Sequence, residues 1–191
     1  MGSDIELLDA WCAGDKAAGD ALICRYFDPI CRFFRGKLGD DVEDLVQRTF
    51  EIGTARRGDV RDGASFRGFL FGVARNLLLD HLRRRYRRGE REDISMRSLV
   101  DLGTSPSEAV QRGERESLLF EAMRRISLDQ QIILELAYWE GLSGREIAEA
   151  LEIGENTVRS RLARARVALR TQVEALGGSS TMLPSDGAAK K

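Results

Sequence analysis

The chain has 191 residues with a nearly balanced charge, 30 Lys and Arg against 31 Asp and Glu, and only 3 prolines. This length allows one domain or two small ones, and the average charge does not decide whether nucleic acid is a partner. No apolar run approaches the roughly 20 residues that span a bilayer, and residues 1–20 lack the pattern of a secretory signal peptide. We therefore expect a cytoplasmic protein.

The sequence offers little for metal or catalytic chemistry. Cys12, Cys24 and Cys31 have no C-x-x-C spacing, and we expect them to be buried apolar side chains. Asp80 and His81 are adjacent on a predicted helix and therefore diverge, so they do not form a nuclease centre. We expect no metal, no cofactor and no enzymatic activity.

Residues 4–88 carry apolar side chains at helical spacing in four stretches, at 5–12, 21–34, 42–52 and 66–82. Four short helices that share one core explain this pattern most simply. Residues 53–64 are rich in Gly, Arg and Asp, which predicts an exposed loop between the third and fourth helices. The sequence therefore predicts a helical domain over residues 1–88.

The periodicity fades over residues 89–104, which predicts a flexible linker. A second helical domain is predicted over residues 105–176, and the tail 177–191 is predicted to be disordered. The helix starts of this second domain are marked by serine caps with Glu or Gln three residues later, and Gly177 ends its last helix. The three predicted starts are Ser105 with Glu108, Ser127 with Gln130, and Ser143 with Glu146. The fold class is all-α, with two small helical domains joined by a flexible linker.

Residues 143–170 have the pattern of a helix-turn-helix. Ala148 is small enough for the crossing point of the two helices, and Val158 provides an apolar anchor from the second helix. Glu152 occupies the turn position that usually holds glycine, so we expect a shifted or slightly strained turn. The second helix carries a row of arginines with few local acids to pair with, which favours DNA binding over a merely solvated face. These arginines are Arg159, Arg161, Arg164, Arg166 and Arg170.

Two motifs, in this order, resemble the sigma-70 family of RNA polymerase sigma factors. Asp44-Leu-Val-Gln47 with Phe50, followed by the run from Phe66 to Asn76, resembles the family's polymerase-binding and −10-reading region. The stretches 146–151 and 157–166 resemble its −35-reading region. The chain is similar to the minimal two-domain group, the extracytoplasmic-function (ECF) factors.

The resemblance implies a role for each matching residue. Asp41, Glu43, Asp44, Leu45, Gln47 and Phe50 would bind the clamp helices of the largest polymerase subunit, with Leu45 packed beneath or at the rim. Arg75, Asn76, Arg83, Arg84 and Arg87 would contact the −10 element, beside a base pocket in the loop 53–65. Arg159, Ser160 and Arg164 would read the −35 element, and Arg161 and Arg166 would clamp phosphates or pair within the chain.

The resemblance also implies core RNA polymerase, including its flap region, and promoter DNA as partners. It further suggests an anti-sigma protein, which no residue of the sequence shows. The alternative is a stand-alone helix-turn-helix regulator that binds promoters without polymerase. A regulatory hypothesis places phosphorylation on Thr49, beside the polymerase-binding face.

Overall fold

The computed structural model describes residues 2–39, 42–60, 65–85, 94–99 and 114–179. Within these ranges the regular elements are helices, together with one isolated β-bridge between Ser98 and Ser127. The α-helices are α1 (Asp4–Cys12), α2 (Lys16–Leu38), α3 (Glu43–Ala55), α4 (Phe66–Arg85), α5 (Glu114–Arg125), α6 (Leu128–Tyr138), α7 (Gly144–Leu151) and α8 (Glu155–Ala175). Two short 3₁₀ helices cover Arg57–Asp59 and Ile94–Met96. The predicted all-α class is confirmed.

The predicted caps explain where α6 and α7 begin. The Ser127 hydroxyl accepts from the backbone N–H of Gln130, whose side chain accepts from the Ser127 N–H. Ser143 and Glu146 form the same reciprocal pair at the start of α7. Such pairs satisfy two backbone donors that the first helical turn leaves unbonded. At the end of α8, Gly177 has a φ of 80°, which glycine adopts without strain.

Helices α1–α4 form the first unit, around a core of aromatic and aliphatic side chains. The Trp11 ring meets the Phe66 ring edge-on, with ring centroids 6.0 Å apart. Gly19 is required beneath Trp11, because a Cβ there would lie 2.4 Å from the indole Nε1. The largest fully buried apolar side chains of this unit are Leu22, Ile30, Phe34, Phe66, Leu70, Phe71, Leu78 and Leu82.

The cysteines and the predicted loop differ from the sequence-based expectations. Cys12 and Cys24 are exposed and only Cys31 is buried, because the first two lie on the outer faces of their helices. Helix α3 continues to Ala55, so the predicted loop starts later than residue 53. Gly53 is buried inside α3, where its missing side chain leaves room for Leu70. Residues 61–64 of that loop lie outside the described residues.

Helices α5–α8 form the second unit, in which α5, α6 and α7 all pack against α8. Ala148 and Val158 are both buried where the helices of the helix-turn-helix meet, as their residue types predict. The other buried side chains of this unit include Leu128, Ile132, Leu136, Leu151, Ala165, Leu169 and Val173. Together they hold α8 with one long face toward solvent.

The two units contact each other through α4 and α7. Part of the predicted flexible linker is also packed at this joint: Leu99 is fully buried, and the Leu128 N–H donates to the Arg97 carbonyl at 2.8 Å. The expectation of an unstructured linker is therefore wrong for residues 94–99, where buried contacts with α4 and α6 replace hydration. The rest of the linker, the predicted cap at Ser105 and residues 180–191 lie outside the described residues.

Candidate functional surfaces

A groove with a volume of about 760 Å³ runs between α2 and α3 and is lined mostly by apolar atoms. We call it the α2–α3 groove. Phe27 is 48% exposed at its edge and stacks on Phe50, with ring centroids 6.1 Å apart and planes inclined by 18°. The lining residues are Ile23, Phe27, Cys31, Arg35, Val42, Glu43, Val46, Gln47, Phe50, Glu51, Thr54 and Ala55. An aromatic pair with one half-exposed ring beside an open groove is typical of a protein-binding surface.

Acidic and amide side chains border this groove at the start of α3. Glu43, Asp44 and Gln47 are exposed, and the Gln47 amide donates to Glu51 at 2.8 Å. Among the described residues, neither Glu43 nor Asp44 has an ion-pair partner. Both carboxylates lie in the first turn of the helix, where the helix dipole stabilises negative charge. They are therefore available to a basic partner.

Two side chains near this surface are buried in the core instead. Leu45 is 6% exposed and does not line the groove, so it supports α3 from beneath. Thr49 is fully buried, and its hydroxyl donates to the Leu45 carbonyl at 2.7 Å. A kinase cannot reach this hydroxyl while α3 is folded, which argues against the phosphorylation hypothesis. Asp41 lies outside the described residues.

Helix α4 exposes some of its predicted DNA contacts and covers another. Asn76, Arg83 and Arg84 are exposed, and Arg83 pairs with Asp80 one turn earlier at 3.1 Å. Arg75 instead points to α6, where its guanidinium lies 3.2 Å from Asp129. Its side chain is 18% exposed, and its Nε is buried without a hydrogen-bond partner in the described structure. The predicted contact Arg87 lies outside the described residues.

Helix α8 presents its basic residues on two different sides. Arg159, Ser160 and Arg164 are exposed together, and the Arg164 Nε donates to the Ser160 carbonyl at 3.3 Å. Arg161 lies on another side, where it pairs with Asp129 at 3.4 Å. This ion pair agrees with the second of the two roles expected for Arg161, which is pairing within the chain. Asp129 is 32 positions away in the sequence, so the few local acids did not indicate it as the partner. Arg166 is half-buried and has a contact of its own.

The turn of the helix-turn-helix keeps its usual geometry despite the missing glycine. Glu152 itself adopts the left-handed conformation, with φ 54° and ψ 43°. Gly154 has a φ of −72°, so the turn is strained rather than shifted. The left-handed conformation costs a residue with a side chain about 1–2 kcal/mol.

Sequence reasoning missed the ion pairs that join the two units. Lys37, fully buried, donates to the Phe33 carbonyl at 2.8 Å and to the Glu135 carboxylate. Burial lowers the pKa of Lys37 and raises that of Glu135, while each charge partly offsets the effect on the other. The two residues are 98 positions apart, so no local pattern could have indicated the pair.

A second missed pair joins α4 to α7. The Arg67 guanidinium contacts both carboxylate oxygens of Glu146, at 2.9 and 3.0 Å, and the carbonyls of Glu140 and Gly141 at 3.2 and 3.3 Å. Burial alone raises the pKa of Glu146, but hydrogen bonds from Ser65, Ser143 and Arg67 together hold it below its ordinary value. Arg67 lies in the family motif, yet its partner was visible only in the fold.

Two family models match the chain in the order that the motifs predict. The model described as sigma-70 region 2 matches residues 22–88, and that described as sigma-70 region 4 matches residues 117–169. The surfaces described above lie within these two stretches. Among the helices of the described residues, none combines the length and the apolar composition that crossing a bilayer requires.

The curated relatives agree with these matches. The ECF RNA polymerase sigma factor SigL of Mycobacterium tuberculosis is 31% identical over 179 residues, which cover 86% of this chain and 96% of SigL. A Xanthomonas campestris protein named as a probable RNA polymerase sigma factor, RfaY, is 33% identical over 134 residues. That match covers 69% of this chain but only 34% of RfaY.

Two solved structures share the fold. One is CnrH in complex with the cytosolic domain of CnrY, with a TM-score of 0.65, 23% identity and coverage of 90% of this chain and 97% of CnrH. The other is the sigma factor RpoE of Bartonella quintana in complex with the anti-sigma factor NepR, with a TM-score of 0.61, 20% identity and coverage of 81% and 96%. With the ordered motifs, the two family matches and a relative aligned over nearly its whole length, this chain belongs to the sigma-70 family, in the group of ECF RNA polymerase sigma factors.

Proposed function

We propose that this sigma factor binds core RNA polymerase through the α2–α3 groove and the acidic start of α3, and that it contacts the −10 element with α4 and the −35 element with α8. The observation that carries the proposal is the chemical difference between these surfaces. The first is apolar with free carboxylates, and the other two present arginines with hydrogen-bonding side chains. A protein partner fits the first surface, and DNA fits the other two.

The polymerase contact combines orientation with adhesion. Glu43 and Asp44 attract a basic helical surface such as the polymerase clamp helices, which raises the rate of association. The exposed Phe27 and its neighbour Phe50 then provide apolar area that slows dissociation. Gln47, between these groups, supplies a directional hydrogen bond. Leu45 contributes indirectly, because it holds α3 in place from within the core.

The −10 contact uses the exposed end of α4. Asn76 offers an amide to a base edge, and Arg83 and Arg84 follow the phosphate backbone. Holding a separated base costs a few kcal/mol of stacking, which these contacts offset. Arg75 joins them only when it leaves Asp129.

The −35 contact uses the outer face of α8. Arg159 and Arg164 are exposed near the start of the helix and can donate to guanine edges in the major groove, with Ser160 between them. Arg161 is 39% exposed and already faces Asp129, so it fits a role in packing the second unit or in contacting phosphate after release. Arg166 has the same two possible roles.

Further partners follow from this function. The second unit would also contact the flap region of polymerase, and the factor would act in the cytoplasm, where the polymerase transcribes. An anti-sigma protein is a further proposed partner, supported by a RpoE structure that contains one. In contrast, a stand-alone regulator would not need the region 2 match or the polymerase-binding groove.

Co-purification with core RNA polymerase tests the proposal. We expect an Asp44→Arg, Gln47→Ala double variant to bind core RNA polymerase at least about tenfold more weakly than the parent. The variant replaces a carboxylate of the proposed surface by a group of opposite charge. The matched control is Asp9→Arg, which makes the same charge change on the exposed surface of α1. Equal binding by the parent and the double variant would refute the assigned surface. Failure of the folded parent to bind would refute the proposed function.

A further inference from the structure

Helix α8 places Asn156 on the side of the helix opposite its buried face. The helix buries Ala165 and Leu169 against the rest of the second unit. At about 100° per residue, Asn156 lies roughly 180° around the helix from Ala165. Ser160 and Ala163 follow on the same side as Asn156, and all three side chains are exposed. We call these three residues the central row of α8.

The two arginines proposed to read the −35 element flank the central row. Counted in the same way, Arg159 lies about 60° to one side of Asn156 and Arg164 about 80° to the other. Glu155 precedes Asn156 by one residue, which turns its side chain about 100° away, beyond Arg159. A helix that lies in the major groove with Arg159 and Arg164 on either side therefore directs the central row toward the bases.

The side chains of the central row are short, which lets the backbone of α8 approach the bases closely. Ala163 ends at its Cβ, and Ser160 holds its hydroxyl against its own helix by donating to the Thr157 carbonyl at 3.0 Å. A long side chain at either position would hold the helix away from the DNA. Asn156 needs the close approach, because the amide of an asparagine follows directly after its Cβ.

The amide of Asn156 takes part in no hydrogen bond among the described residues. It does not cap the helix either, since Gly154 occupies the N-cap position of α8 and no side chain caps this end. Asparagine is a poorer helix former than alanine, glutamate or lysine, so helix stability does not explain its presence. Both the acceptor and the donors of this amide are therefore available to a ligand.

A side-chain amide is the group that recognises adenine in the major groove. Its oxygen accepts from the adenine N6 amino group while its nitrogen donates to N7, and no other base presents this combination of donor and acceptor there. Arginine instead donates twice to guanine, at O6 and N7. Arg164 suits that task, because its Nε donates to the Ser160 carbonyl at 3.3 Å and fixes the guanidinium beside the central row.

We propose that Asn156 is a specificity-determining residue of the −35 contact and that it selects an adenine. The inference rests on the proposed function, because it assumes that α8 enters the major groove at the −35 element. Asn156 lies one residue before the stretch 157–166 that resembles the family, so the resemblance assigns it no role. Side chains three positions apart on a helix have Cβ atoms about 5–6 Å apart. At the 3.4 Å rise of B-DNA, the adenine should therefore lie within about two base pairs of the guanine that Arg159 contacts.

Selection from randomised DNA tests the proposal. Holoenzyme, assembled from core RNA polymerase and the full chain, is incubated with a library in which both promoter segments are randomised, and the bound fragments are sequenced. The variants are Asn156→Ala, which removes the amide, and Asn156→Asp, which keeps its size but offers only acceptors to a base. The matched control is Thr171→Ala, at an exposed polar residue on the same side of α8 about four turns further along.

We expect the parent to enrich adenine at one −35 position at least about fivefold over each other base, as one bidentate contact allows. Asn156→Ala should lose this enrichment at that position alone. Asn156→Asp should replace adenine by cytosine, whose N4 amino group donates to a carboxylate. Thr171→Ala should select the same sequence as the parent. Both Asn156 variants should keep their helical circular dichroism, because the side chain is exposed and unbonded.

An adenine preference that either Asn156 variant retains would overturn the inference and leave the proposed function in place. A loss of affinity that is uniform across sequences would also overturn the inference, because Asn156 would then contact the DNA backbone rather than a base. A parent holoenzyme that enriches no −35 sequence would overturn the proposed function instead.

Discussion

The buried pair Lys37–Glu135 permits a quantitative test of how the two units hold together. Replacing Lys37 by Met leaves the Glu135 carboxylate, whose side chain is only 22% exposed, without its counter-charge. Breaking a buried pair by removing one partner typically costs about 3–5 kcal/mol. The chain can limit this cost by opening the joint, which returns Glu135 to water. We therefore expect the loss in the free energy of unfolding to be about 3 kcal/mol or less.

The double variant Lys37→Met, Glu135→Leu should recover most of that loss. It replaces both charges by apolar groups of similar volume, and such replacements of buried pairs are often neutral or stabilising. We expect a coupling energy of about 2–3 kcal/mol between the two positions, measured by urea unfolding followed by circular dichroism. Small-angle scattering should show expansion for Lys37→Met but not for the double variant.

The matched control is the exposed pair Arg56–Asp59, whose side chains are 60% and 59% exposed. A cycle with Arg56→Gln and Asp59→Asn should give less than about 1 kcal/mol, as is usual for surface pairs. A coupling energy between Lys37 and Glu135 as small as that of the control would refute the reasoning. The reasoning would also be refuted if, on heating, the Lys37→Met variant expanded and lost its helical signal at the same temperature. The expansion would then reflect unfolding rather than opening of the joint.

Three further predictions concern single positions. Glu152→Gly should raise the free energy of unfolding by about 1 kcal/mol, because glycine adopts the left-handed turn without strain; a lower melting temperature would show that the Glu152 side chain has a stabilising contact. Arg159→Ala should weaken promoter binding by about 1–3 kcal/mol and relax the preference at one base position, whereas unchanged binding would remove Arg159 from the −35 contact. Thr49→Val should leave polymerase binding unchanged and alter the free energy of unfolding by less than about 1 kcal/mol, and a loss of activity in this variant would revive a role for the hydroxyl.

Local sequence patterns were sufficient for the helices and for the helix-turn-helix. Ser127 with Gln130 and Ser143 with Glu146 form their caps between residues three positions apart, so the sequence carries the whole signal. Ala148 and Val158 are buried as their size and spacing predict. Such features depend on contacts within a few turns of one chain segment.

The joint between the units was not predictable in the same way. Lys37 and Glu135 are 98 positions apart, and a lone buried lysine has no distinctive neighbours in the sequence. Gly68 and Gly72 lie four positions apart in α4, which is the one available signal of close helix packing, but the sequence does not say which helix approaches them. The same limit applies to residues 94–99, whose low periodicity predicted a flexible linker although tertiary contacts bury Leu99.

The shared carboxylate of Asp129 has a consequence for the ionic-strength dependence of DNA binding. Each phosphate contact normally adds close to one counterion to the slope of affinity against salt concentration. In this chain, the proposed DNA contacts Arg75 and Arg161 both pair with Asp129, so they would have to leave it to bind phosphates. Added salt weakens the internal pairs with Asp129, which favours DNA binding, and it also weakens the new phosphate contacts, which opposes DNA binding. The two effects on DNA affinity therefore partly cancel. The free chain should therefore show a shallower salt slope than its number of arginine–phosphate contacts implies.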